Sequence, residues 1–97
     1  MKSEKKEAYQ KKVEAELEEL EAKINLLIAK AKNASADTRI KAQNQISLLK
    51  GKYVKVSEEI SGLPSKSKDA WEEVTKGIDE ALDDLKVSAE EAIEQFS

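Results

Sequence analysis

The sequence predicts an all-α fold: an up-down-up three-helix bundle, or a helical hairpin plus a third long helix, with coiled-coil-like packing. Three observations predict it. Charged residues make up 38% of the 97 positions and aromatics only 4%, with three glycines and one proline, a composition suited to long helices rather than strands. Apolar residues recur at steps of four and three. Finally, that recurrence is interrupted twice, dividing residues 1–97 into three segments of one helical domain, near 3–33, 37–61 and 66–96.

The first segment carries Val13, Leu17, Leu20, Ile24, Leu27, Ala31 and Ala34, a clean heptad stripe. Ile28 widens it beside Leu27. Glutamates 14, 16, 18, 19 and 21 occupy other faces, and lysines crowd the start, where cations oppose the helix dipole. The second stripe reads Ala42, Ile46, Leu49, Tyr53, Val56, Ile60 and Leu63. It is out of phase with the first, whose continuation would bury Thr38, Lys41, Gln45 and Leu48. The chain therefore either breaks or shifts register within "AKNASADTRI", and a helical hairpin is the preferred arrangement. Asn33 is suited to a left-handed C-cap, and Ser35 or Asp37 to the next N-cap. One continuous helix with a stutter is the competing arrangement, since the stretch lacks Gly and Pro.

"SGLPSKSKD" is the stronger break. Gly62 suits a helix end, Pro64 disfavours helical geometry at Leu63, and Ser65 or Ser67 can cap the third helix. The third stripe is the broadest: Trp71, Val74, Ile78, Ala81, Leu82, Leu85, Ala89, Ala92, Ile93 and Phe96. Breadth suits a helix with two neighbours. Gly77 within it costs about 1 kcal/mol relative to Ala; close packing is the expected reason, a tolerated defect the other. Segments 1–34 and 35–64 carry net +1 and +2, and 65–97 carries −6, so an acidic third helix is set to lie beside two mildly basic ones.

The chain has neither cysteine nor histidine. Disulfides, thiolate nucleophiles, the commonest general base and the usual zinc ligands are therefore excluded. No apolar run of membrane-spanning length occurs, and "MKSEKKEAYQ" lacks the apolar core of a secretory signal, so a cytoplasmic location is expected. The five glutamates lie on solvated helix faces, and the Glu-x-x-His pattern of di-iron bundles is impossible here. No cofactor or metal is expected, and no catalytic residue. Lys2, Lys5, Lys6, Lys11 and Lys12 form a basic N-terminal patch diluted by Glu4 and Glu7. A net charge of −3 and a single arginine argue against nucleic acid as a partner.

"DAWEEVTKGIDEALDDLKVSAEEAIEQF" resembles the end of small bacterial coiled-coil proteins linked to stress response, cyanobacterial members among them. Their pattern has the form A-W-E-x-x-K-x-G-x-E-x-A-W-x-x-L. Ala70, Trp71, Glu72, Gly77, Ala81 and Leu85 match it. Thr75 stands where Lys is common, Asp79 where Glu is common, and Leu82 where a second Trp is common. The alanine-rich "AKAKNASADTRIKAQNQISLLKGK" resembles the family's middle segment. The resemblance implies an apolipoprotein-like helical fold and a stress-associated, noncatalytic role, and it supplies no catalytic residues.

The candidate interaction residues are Trp71, Leu26, Leu48 and Val54. Trp71 is either an exposed anchor or a cap on the bundle end; its phase with Val74 and Ile78 favours the cap. Tyr53 can pack its ring and expose its hydroxyl. Leu26, Leu48 and Val54 fall off the stripes. Leu26 and Leu48 lie at similar heights in the hairpin, where they either cover the third helix or form an oligomer patch. The expected function is that of a non-enzymatic structural or interaction protein, with a protein partner or a second copy. The alternative is an amphipathic protein that coats lipid or polymer granules without spanning a membrane.

Overall fold

A computed structural model describes the backbone of residues 2–96 and the side chains of residues 5–96. Three helices carry nearly all of it: α1 (Lys2–Lys32), α2 (Ala36–Gly62) and α3 (Lys68–Gln95), with a 3-10 turn at Leu63–Ser65. Each helix packs against both others. The result is an up-down-up bundle, a rod of 52 × 17 × 16 Å. The expected segments match to within two residues. The α2–α3 joint lies at the lower end of the rod, and the α1–α2 joint at the upper end.

The stripes are the core. Val13, Leu17, Leu20, Ile24, Leu27 and Ala31 of α1 are buried, as are Ala42, Ile46, Leu49, Val56 and Ile60 of α2. From α3 come Ile78, Leu82, Leu85, Ala89 and Ala92. Tyr9, Ile28, Tyr53, Trp71, Val74, Ala81, Ile93 and Phe96 pack partly buried against them. No polar or charged residue is buried among the described residues. Each large aliphatic side chain removed from water contributes roughly 1.5–3 kcal/mol, so the seam dominates the stability of the rod.

At the upper end the chain breaks, and the continuous-helix alternative fails. The cause is the phase difference between the stripes, which a turn resolves and a straight helix cannot. Ser35 takes an extended conformation and its Oγ accepts from the Thr38 N–H at 3.4 Å. The backbone N–H groups of Asn33 and Ala34 close the end of α1 onto Lys30 and Ala31. Asn33 is not left-handed: no described non-glycine residue has positive φ. Tight i→i−3 bonds end α1 instead.

At the lower end Leu63 corrects a second expectation. It is helical (φ −60°, ψ −42°) although Pro64 comes next. Leu63 is fully buried, and that burial outweighs the local steric preference of a residue before proline. The turn is closed by Ser65 Oγ donating to the Gly62 carbonyl (2.9 Å) and the Lys66 N–H donating to Leu63 (3.0 Å). Ser67, not Ser65, then caps α3, accepting from the Ala70 N–H at 3.4 Å. Close packing does not account for Gly77. A Cβ there meets nothing within 4 Å, and the same holds at Gly51. Both are defects on exposed helix surface.

Candidate functional site

Trp71 begins the buried face of α3 and caps the lower end. It is half-buried against the core, and its ring meets Tyr9 edge-on, with centroids 5.9 Å apart and planes at 67°. Such pairs prefer this geometry because the ring edge is positive and the face negative. The Trp71 Nε1 atom is buried and has no acceptor among the described residues. The Tyr9 hydroxyl lies 2.8 Å from Asp79 Oδ1 and 3.1 Å from the Thr75 carbonyl, two acceptors on α3 for one O–H donor. Burial, then the hydrogen bond and negative charge of Asp79, push the Tyr9 phenol well above the ordinary tyrosine range. Lys6 adds a bond from Nζ to the Lys66 carbonyl at 3.0 Å. Tyr9 lies four residues before Val13, on the same side of the helix, although the strict alternation of steps would have placed Gln10 in the stripe.

Tyr53 behaves as its position predicts. Its ring is half-buried, and its hydroxyl donates to Glu21 Oε2 at 3.0 Å. Desolvation first, then Glu21, raise its pKa.

Three ion pairs tie α3 to its neighbours: Lys23–Glu90 at 3.1 Å, Lys52–Asp84 at 2.7 Å and Lys86–Glu16 at 3.1 Å. Two of them join a base of the hairpin to an acid of α3, as the segment charges predict. All are partly solvated, so each contributes about 0–1 kcal/mol. Glutamates 16 and 21 are thus engaged in contacts between helices. Among the described residues no group of three or more acidic side chains is placed to hold a metal ion. The side chain of Lys2, part of the basic patch, lies outside the described residues.

The other candidate residues are not brought together with Trp71. Leu26 is 47% exposed, Leu48 61% and Val54 51%. Leu26 and Leu48 therefore do not cover α3. Leu48 and Val54, six residues apart, point to sides of α2 about 120° apart at roughly 100° per residue. Ile40 and Val87 are also exposed, at 59% and 54%, and belong with this set. Both lie off their stripes, the same signal that marks Leu26. No helix among the described residues is long and apolar enough to cross a membrane.

Comparison of the chain with protein families, with curated proteins and with solved structures returns no match.

Proposed function

We propose that this is a non-enzymatic structural or interaction protein that works through self-association or a protein partner. One observation carries the reading. Leu26, Ile40, Leu48, Val54 and Val87 remain exposed on a bundle whose core closes without them. Apolar side chains scattered singly over a surface are ordinary, so it is their number on so small a rod, five spread over three helices, that favours contact with another surface. A stress-associated role, which the resemblance to small coiled-coil stress proteins implies, and a cytoplasmic location are part of the same proposal. Solution mass across a concentration series, with cross-linking in native extract, tests it. The expected result is a mass above the 10.8 kDa of one chain, or a discrete cross-linked partner. A chain that stays monomeric and cross-links to nothing overturns it.

A second reading has its own support. Residues 38–57 carry five cations and no acid, together with Ile40, Leu48 and Val54. Basic amphipathic helices bind anionic lipid surfaces. Flotation with vesicles containing anionic lipid tests this reading; a chain left at the bottom of the gradient, with unchanged Trp71 emission, removes it.

A further inference from the structure

Two contacts on α2 fix which flank of the helix faces which neighbour. Lys52 reaches Asp84 and Ser88 of α3, whereas Tyr53 reaches Glu21 of α1. At about 100° per residue, Lys41, Leu48 and Lys55 all fall within roughly 60° of Lys52, as do Asp37 and Glu59 at the two ends of the helix. They therefore line the α3 side of α2, and Val54 lies on the opposite flank. On α3, Glu91 comes one heptad after Asp84 and shares its flank. Lys41, Leu48, Lys55, Asp84 and Glu91 are all exposed. Between Lys41 and Lys55 one face of the rod thus carries a basic stretch with Leu48 at its centre, bounded by Asp37 and Glu59, beside an acidic edge of α3. Residues 65–97 as a whole carry net −6.

We infer that this α2–α3 face binds a second copy of the chain. The inference rests on the self-association reading above and names its surface. The two edges are adjacent and opposite in charge, so the face is complementary to itself. A two-fold axis parallel to the rod lays α2 of one copy over α3 of the other, and the same contact forms twice. The heights agree. Lys52 sits level with the Asp84–Ser88 turn. Because α2 descends as α3 ascends, Lys55 is level with Asp83 and Asp84, Leu48 with Glu90 and Glu91, and Lys41 with the last turn of α3. Rotation about an axis along the rod preserves height. Lys55 then meets Asp84 of the second copy, Lys41 lies above Glu91, and Leu48 packs near the small side chain of Ser88. The Leu48 pair gives each contact an apolar centre, and the charges set its register. From Lys41 to Lys55 the contact spans about 21 Å at roughly 1.5 Å per residue, less than half of the 52 Å rod, which is the size of a weak, reversible interface.

Charge reversal tests the arrangement in the full-length chain by sedimentation equilibrium. Wild type is expected to form a reversible dimer that weakens as salt rises. Lys41→Glu/Lys55→Glu makes both edges acidic, and Asp84→Lys/Glu91→Lys makes both basic. Each double variant alone is expected to be monomeric, and an equimolar mixture to recover the dimer mass. Leu48→Asp is expected to weaken association by roughly tenfold or more. Gln43→Asp, nine residues before Lys52 and so on the opposite flank, leaves the mass unchanged. Helical circular dichroism of each variant confirms that the monomers are folded, and the recovered mixture excludes misfolding as the cause. A wild-type dimer indifferent to Leu48→Asp and to both charge reversals overturns the inference alone. A wild-type chain that is monomeric throughout overturns it together with the self-association reading. Capture of that monomer by anionic vesicles assigns the basic edge to lipid instead.

Discussion

At the lower end of the rod, Val13, Val56, Ile60, Leu63 and Ile78 are buried beneath Tyr9, Val74 and Trp71. At the upper end, the buried residues nearest the joint are Ala31 and Ala42, with Leu27 below them. The lower end is filled by bulk and tied by a hydroxyl reaching across to α3. The upper end has small fully buried side chains beside the partly buried Ile93 and Phe96, and is closed by the cap at Ser35. Large residues can hold a chain in place from within, even in a backbone geometry that its own sequence disfavours, as at Leu63. Small residues leave the helices close together and the turn to be set by local hydrogen bonds.

The sharpest way to break that contrast is Leu63→Ala. It empties a fully buried position and is expected to cost about 2–5 kcal/mol, read by urea unfolding. A loss below that range means the lower end collapses around the gap. At the other end the opposite change applies. Ala42 is 0% exposed, and Ala42→Leu is expected to cost about 1–3 kcal/mol by overpacking. A neutral result shows spare room beside the upper joint.

Tyr9→Phe sharpens the lower end alone. It removes the hydroxyl contacts with Thr75 and Asp79 at an expected cost of about 0.5–1.5 kcal/mol near neutral pH. Its pH dependence has a definite sign. The folded-state pKa of Tyr9 is raised, so the neutral phenol is the form the fold prefers. That contribution is complete below the ordinary tyrosine pKa of about 10 and is lost as pH climbs through the folded value. Denaturation curves at alkaline pH are expected to fall more steeply for wild type than for Tyr9→Phe; parallel curves contradict the assignment. The smallest effects lie between the ends. Gly51→Ala and Gly77→Ala are each expected to stabilise the monomer by about 0.4–1 kcal/mol, because the added Cβ meets open space. A destabilised Gly77→Ala monomer points to close packing at that position after all.

Much of the fold was legible in the residue spacing. Steps of four and three gave the buried face of each helix, and the phase shift between the first two stripes located the upper interruption without any glycine or proline to mark it, though a stutter in one long helix would have met the same shift. Spacing could not identify the flank. Periodicity says that Leu48 lies off the core, but not whether α1 or α3 is beside it. That depends on how the three helices are arranged in space, seen in the contacts of Lys52 and Tyr53. Nor could local rules give the backbone at Leu63, where packing against distant residues prevailed over the preference set by Pro64. At Gly77 the spacing left close packing and a tolerated defect both open, and only the assembled bundle shows that its side is open.

The number of helices has a mechanical consequence. Because α1 ascends, α2 descends and α3 ascends, Lys2 and Gln95 stand at opposite ends of the rod. Tension applied between them runs along the bundle axis. It slides α1 past α3 in shear and loads the Tyr9 contacts and the Glu16–Lys86 and Lys23–Glu90 pairs together. An even-numbered hairpin pulled from its open end would peel one contact at a time. This rod instead resists extension until its seams yield together, which makes it a stiff strut between whatever is fixed to its two ends.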